Sequence, residues 1–360
     1  MSSSGIMGEI EKVLEEAEGI KESSEWIFLI QDKVIESYLK GKKDLLRKLM
    51  MSDEIFWIGI GGSSSGPKAI SEIFGLGIKF FESPEEKKEL CELMKKSKRP
   101  TLYIVSKSGE TFETLILSKT AEKIAKRKKA VSFLGITANK DSPISNLVIR
   151  NRGELIDFPP NLSGRFSTFF ILYPVLMRYR NILKIMKSNL DNVRRRIFDK
   201  ESLHFKLARF IIENQDKQEI FLCFYSKDLV KLSENFCQLI AESLGKDGKG
   251  LTPVALLGPH FQHSVAQLIL ANPKGKCAVF IFRSGAERDL MREKEATLRA
   301  FSERIPVLEL EIRSKGEIFS LIFQFQIAIA VAGKIMGINP FDQPEVKRIR
   351  DLIWGGRVLR

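Results

Sequence analysis

The stretch WIGIGGSSSGPKAI, residues 57–70, carries four glycines and three consecutive serines at the end of a short apolar run, and then passes into residues that suit a helix. A glycine-rich turn between strand and helix lets backbone N–H groups approach an anion, and the helix N-terminus adds partial positive charge. Two common phosphate loops can be tested by counting. From Gly59, the dinucleotide pattern GxGxxG needs glycine where Ser64 stands; from Gly61, the Walker pattern needs lysine where Pro67 stands. Both fail. What remains is a serine-lined pocket around Gly62 and Ser63 for a smaller phosphate or sugar hydroxyls, with a plain tight βα turn as the alternative.

A second stretch, LYIVSKSGETFET (102–114), repeats the arrangement: an apolar run, then Ser106, Lys107, Ser108, Gly109 and Thr111, then helix-forming residues. Two such loops in one parallel sheet open at the same carboxyl edge and can converge on one phosphate. Serine and threonine also serve as ordinary helix caps, so the pattern is only moderately specific.

Outward from these loops, β-rich runs stand at 55–60, 102–105, 131–137 and 154–158, separated by helix-forming segments. A helical bridge, RFSTFFILYPVLMRYRNILKIM (165–186), precedes a second series at 219–225, 277–282 and 307–312. Helical periodicity marks IEKVLEEAEGI (10–20) and SYLKGKKDLLRKLM (37–50). The pattern predicts an α/β fold of two tandem domains, each a parallel sheet flanked by helices in an αβα sandwich. The expected division is 1–165 for N-terminal helices plus the first domain, 166–335 for the bridge plus the second, and 336–360 for a C-terminal loop and helix.

Composition narrows the function. With 44% hydrophobic and 29% charged residues, the 360-residue chain is a globular protein with room for two cores. The net charge of +13 raises nucleic acid, acidic surfaces and anionic small molecules as partners. The basic residues are scattered, in short runs such as KRKK (126–129) and RRR (194–196) without aromatic flanks, so neither nucleic acid nor membrane is expected as a partner. Cys91, Cys223, Cys237 and Cys277 lie far apart and suggest no zinc site or disulfide framework; a cytoplasmic location fits. The N-terminus is acidic where a signal peptide needs a basic start. The longest uncharged run, 318–333, is short for a membrane span and reads as a buried helix.

Four further stretches follow in order: NLSGRFSTFF (161–170), FCQLIAESLGKDGKG (236–250), FQHSVAQ (261–267) and NPFDQP (339–344). Together with the two loops, this ordered set resembles the glucose-6-phosphate isomerase family, in its shorter bacterial form. The resemblance implies two sugar-isomerase domains, a homodimer, and reversible interconversion of glucose 6-phosphate and fructose 6-phosphate with no cofactor. It places Ser63, Ser106, Lys107, Ser108 and Thr111 on the substrate phosphate, Arg165 beside the reacting carbons and Glu242 as the base. His263 falls on the ring-opening histidine, which in this family comes from the other subunit. Gln238 and Gln343 fall on active-site glutamines.

The chemistry asks for these residue types. Moving a carbonyl between C1 and C2 passes through an enediolate, and one carboxylate on one face of the sugar can take and return the proton, with a contribution of roughly 10²- to 10⁴-fold. Glu242 follows Gln238 by four residues, so both share one helix face. A guanidinium stabilises the enediolate where its charge develops, a role for Arg165. Ring opening needs a group near neutral pKa, and the chain has only His204, His260 and His263. Arg350 stands where the family has a lysine; its head is planar and effectively undeprotonatable, and Lys347 one helical turn earlier is the substitute. Glu345 replaces a glycine of the same family segment. A bifunctional enzyme that also takes mannose 6-phosphate and a non-catalytic sugar-phosphate-binding regulator are the alternatives.

Overall fold

Among the described residues, five strands form the first sheet: β1 (Glu54–Ile58), β2 (Lys79–Phe81), β3 (Pro100–Val105), β4 (Ser132–Thr137) and β5 (Glu154–Asp157), all parallel, in the order β2-β1-β3-β4-β5. A second parallel sheet contains β6 (Glu219–Tyr225), β7 (Thr252–Leu257), β8 (Lys276–Arg283) and β9 (Val307–Ile312), in the order β7-β6-β8-β9. This computed structural model describes residues 3–17, 21, 23–128 and 130–355. Residues 18–20 of the first helical stretch and residue 129 of the KRKK run lie outside the described residues.

The α/β architecture matches the expectation from the sequence, and seven of the strands lie where the apolar runs stand. The other two, β2 and β7, are edge strands. KFF is only three residues long and begins with an exposed lysine; TPVALL is half exposed and carries Pro253, which an edge strand tolerates because one side of its ladder is unpaired. Neither is buried along its length as β3 and β6 are. The stretch of helical periodicity at 37–50 spans two helices, Gln31–Leu39 and Lys43–Met51, separated around Gly41. The bridge likewise resolves into a turn, Gly164–Phe166, and helices Thr168–Leu176 and Arg180–Arg195.

The chain folds as two compact units that do not follow chain order. The first sheet's unit ends at Leu183 but takes back the chain from Gln343 onward, including helix Val346–Trp354. The second sheet's unit is Lys184–Asp342 with the N-terminal helix Ser3–Glu16. The terminal segments are therefore exchanged relative to the sequential boundaries at 165 and 335. Periodicity shows that a helix has an apolar face; it does not show which sheet that face covers.

In the first unit, Phe56, Ile58, Leu102, Ile104, Leu117, Ile144 and Leu147 make a closed core on one face of the sheet. On the other face Trp57 and Tyr103 pack ring to ring at 4.6 Å, and the buried Tyr103 hydroxyl donates to the Ile171 carbonyl at 2.7 Å. In the second unit, Phe221, Tyr225, Phe280 and Phe301 fill one face. Helix Ile318–Ile335 fills the other, with Phe325 stacked on Phe236 at 3.9 Å. That helix is long and apolar enough to cross a membrane, yet it is mostly buried as a core element of its unit, as its sequence suggested.

Candidate functional site

In the first sheet the chain leaves β1 toward β2 on one side and leaves β3 toward β4 on the other, so the carboxyl ends of β1 and β3 flank a switch point. In open α/β sheets this is where ligands bind. The loop after β1 and the loop 106–111 after β3 both open there.

The first loop is shaped by close approach. Gly61 adopts φ +58°, and a Cβ on Gly62 would lie 2.5 Å from the Arg165 nitrogen and 2.6 Å from the Gly164 carbonyl carbon. The loop therefore rests on the Gly164–Phe166 turn, backbone to backbone, and only glycine fits. Trp57 Nε1 donates to the Ser63 carbonyl at 2.9 Å and pins the turn from below. Ser64 stands at the N-cap of helix Ser65–Phe74, but its hydroxyl donates to Glu82, which also receives Lys68.

Hydroxyls brace the second loop. Ser106 Oγ and Thr111 Oγ1 share a hydrogen bond at 2.9 Å, and the Gly109 N–H donates to Ser106 Oγ at 3.1 Å. Ser108 Oγ accepts from the Glu110 N–H at 3.2 Å and is exposed. Half-buried Lys107 sits with its Nζ 5.8 Å from the Phe158 ring centre. Burial first, and the Arg165 guanidinium second, lower its pKa below the ordinary lysine value. Arg165 is 2% exposed and donates from Nη1 to Gln343 Oε1 at 3.5 Å. The first unit thus links Gly62, Lys107, Arg165 and Gln343 around one edge of the sheet, with Ser63, Ser106, Ser108 and Thr111 on the two loops. Lys347 and Arg350 lie on the exposed helix Val346–Trp354, whose Trp354 meets Phe112 edge to face at 5.6 Å.

The second unit carries the other candidates. Glu242 lies near the end of helix Ser233–Leu244, and Gln238 one turn earlier donates from Nε2 to Glu242 Oε1 at 3.0 Å. The lysines of the following KDGKG segment escaped the sequence reading. Lys246 pairs with Asp342 at 2.9 Å, and Lys249 donates to the Met336 carbonyl at 2.9 Å. Both tether the segment that leads to Gln343, and their alternation with glycines was the available signal.

His260 and His263 bound one 3-10 turn and are both exposed. The turn is anchored by Phe261, buried 5.9 Å from the Tyr225 ring, and by Gln262, which donates to Thr297 Oγ1 at 2.7 Å. His204 is 1% exposed, its ring nitrogens facing the Ile197 carbonyl at 2.8 Å and Gln324 Oε1 at 3.2 Å. Burial pushes its pKa down, and it is a packing histidine.

No protein-family profile matches the chain. A glucose-6-phosphate isomerase of Methanocaldococcus jannaschii is 24% identical over 348 residues, covering 86% of this chain and 86% of its own length. The glucose-6-phosphate isomerase of Onion yellows phytoplasma is 27% identical over 350 residues, covering 82% and 80%. The crystal structure of a glucose-6-phosphate isomerase from Chlamydia trachomatis superposes with a TM-score of 0.76 at 17% identity, over 98% of this chain and 85% of that one, a likeness of fold. Relatives of one name, glucose-6-phosphate isomerase, thus align along most of the chain at 24% and 27% identity, and the chain shares its fold with the Chlamydia trachomatis structure.

Proposed function

We propose that the protein is an aldose-ketose isomerase that interconverts glucose 6-phosphate and fructose 6-phosphate. The observation that carries this reading is the pair of serine-lined loops at the switch point of the first sheet, with half-buried Lys107 on one and the backbone of buried Arg165 packed against Gly62 of the other. A fold gains nothing from crowding like charges at a sheet edge unless an anion is to be held there. The phosphate of the substrate is that anion, received by Gly62, Ser63, Ser106, Lys107, Ser108 and Thr111. Glu242 takes the proton from one carbon and returns it to its neighbour, with Gln238 orienting the carboxylate. Arg165, with Gln343 beside it, stabilises the enediolate. His263 moves the proton in ring opening; its exposure on an anchored turn suits a residue offered to the partner copy of a homodimer. Arg350, or Lys347 in its place, assists at the ring-opening end. The substrate class implies a cytoplasmic enzyme.

A second reading, sugar-phosphate binding without catalysis, is favoured by Arg350 alone. One experiment separates the two: glucose 6-phosphate formation from fructose 6-phosphate, followed through a coupled dehydrogenase, in wild type and Glu242→Gln. The isomerase reading expects turnover by the wild type and a loss of about 10²- to 10⁴-fold in kcat for the variant. A folded wild type that binds substrate without turnover establishes the second reading, and an undiminished variant removes Glu242 as the base.

A further inference from the structure

Glu82 belongs to none of the motifs above, yet it stands under the first phosphate loop. It directly follows β2, the edge strand beside β1, so it shares the sheet edge with that loop. Its backbone is fixed by a second carboxylate: the N–H groups of Glu82 and Ser83 both donate to Glu86 Oε2, at 2.6 and 2.7 Å. From this fixed position Glu82 Oε1 accepts from Ser64 Oγ and Oε2 pairs with Lys68 Nζ. Ser64 is fully buried, and the Glu82 side chain is 16% exposed, so the contact is shielded from water.

Ser64 occupies the N-cap of helix Ser65–Phe74, a position where a serine hydroxyl ordinarily accepts from the first-turn N–H groups. Ser142 does this in the same unit, accepting from the Ser145 N–H at 3.2 Å. Ser64 makes no such bond, and its φ −144°, ψ −42° lie off the extended backbone usual for an N-cap. Thr111, the N-cap of the helix after the second loop, makes none either, its hydroxyl being engaged by Ser106. Both helices behind the two phosphate loops therefore have a hydroxyl residue at the cap whose oxygen is drawn elsewhere.

We infer that Glu82 is a positioning residue: it holds the Ser64 hydroxyl off the helix terminus and so keeps that terminus open for the substrate phosphate, while Lys68 offsets its charge. The inference rests on the phosphate-loop assignment above, and it makes a prediction of unusual sign. A carboxylate that merely sits near an anion site repels the anion, and its removal tightens binding. A carboxylate that keeps a competing hydroxyl away weakens binding when removed.

The test is titration calorimetry with inorganic phosphate and with fructose 6-phosphate, alongside steady-state kinetics, on wild type, Glu82→Ala, Ser64→Ala and the double variant, with thermal melts to establish folding. Glu82→Ala is expected to weaken both ligands about fivefold, the scale of a helix cap, raising KM by that factor with kcat within twofold. Ser64→Ala is expected to bind like the wild type, and the double variant to recover most of the loss, because without the hydroxyl nothing competes for the terminus. Tighter or unchanged binding by a folded Glu82→Ala overturns the inference, as does a double variant no better than Glu82→Ala. Wild type that binds both ligands but does not turn over defeats the isomerase reading and leaves the role of Glu82 to the calorimetry; wild type that binds neither defeats both.

Discussion

Gln238 donates a hydrogen bond from Nε2 to Glu242 Oε1 at 3.0 Å, one turn apart on a single helix. The i, i+4 spacing makes the contact, and the contact fixes the plane of the carboxylate. The base proposed at Glu242 returns its proton to the neighbouring carbon and gains from a fixed plane, because rotation misplaces the accepting lone pair. Gln238→Ala is expected to lower kcat by roughly three- to tenfold, the value of one net hydrogen bond, with KM within twofold and the circular dichroism melt unchanged. A rise in KM at constant kcat would instead make Gln238 a substrate-binding group.

Lys107 pairs stability against binding. Its pKa is lowered, by burial first and by Arg165 second, so the folded state holds this proton less tightly than the unfolded chain does. The unfolded state therefore binds more protons in the window between the lowered value and the ordinary lysine value, and stability rises with pH across it. Below that window the charged lysine is a standing cost in the ligand-free protein. Lys107→Met is expected to raise the melting temperature of ligand-free protein at neutral pH and to flatten this pH dependence. The same substitution should weaken phosphate by roughly 10- to 100-fold, the loss of a charge-assisted hydrogen bond. Differential scanning calorimetry without phosphate, set beside phosphate titrations, separates the two effects; a fall in melting temperature without ligand would show that Lys107 is a structural residue.

The two loops were legible because glycine and serine at a strand end are local signals. Gly62 is required by its own surroundings, and the GIGGS and SKSGET stretches announce the turns that need them. Glu242 and Gln238 were legible as a pair because helix spacing alone brings them together. Glu82 was not, because its role comes from β2, a three-residue edge strand without an apolar pattern, lying beside β1. The grouping of Gln343 with Arg165 was equally hidden from periodicity, since 178 residues separate them and the chain visits the second sheet in between. His204 looked like its two exposed relatives until its burial and its three oxygen partners, on Ile197, Ser202 and Gln324, set it apart.

Gly62 offers the sharpest test of the loop's geometry. Its missing Cβ would stand 2.5 Å from the Arg165 nitrogen and 2.6 Å from the Gly164 carbonyl carbon, and both are backbone atoms that no side-chain rotation can clear. Gly62→Ala must push the Gly164–Phe166 turn outward and carry Arg165 with it. The expected stability loss is about 1–3 kcal/mol, as for other overpacked sites, with activity falling further because a displaced guanidinium no longer meets the developing charge. A denaturant melt and kcat measured on one preparation check this. An alanine variant with wild-type kcat would mean that the Arg165 position is not critical.

Arg350 and Lys347 divide one proposed role, and their helix decides how to separate them. Helix Val346–Trp354 is exposed along its length, so neither cation has a buried partner to lose on substitution. Stability should therefore stay within about 0.5 kcal/mol for Arg350→Ala and Lys347→Ala alike, as for ordinary surface changes. Any kinetic effect then reports function directly. Ring opening concerns cyclic substrate, so the deficit should appear in glucose 6-phosphate turnover and shrink when the open-chain form is supplied transiently. A guanidinium supplies charge but stays protonated, whereas an ammonium can supply charge and also give up a proton. Arg350→Lys should accordingly raise turnover of cyclic substrate if Arg350 holds the position, and Lys347→Ala should lower it if Lys347 has taken over. Unchanged turnover in all three variants would remove this helix from the reaction and leave ring opening to His263.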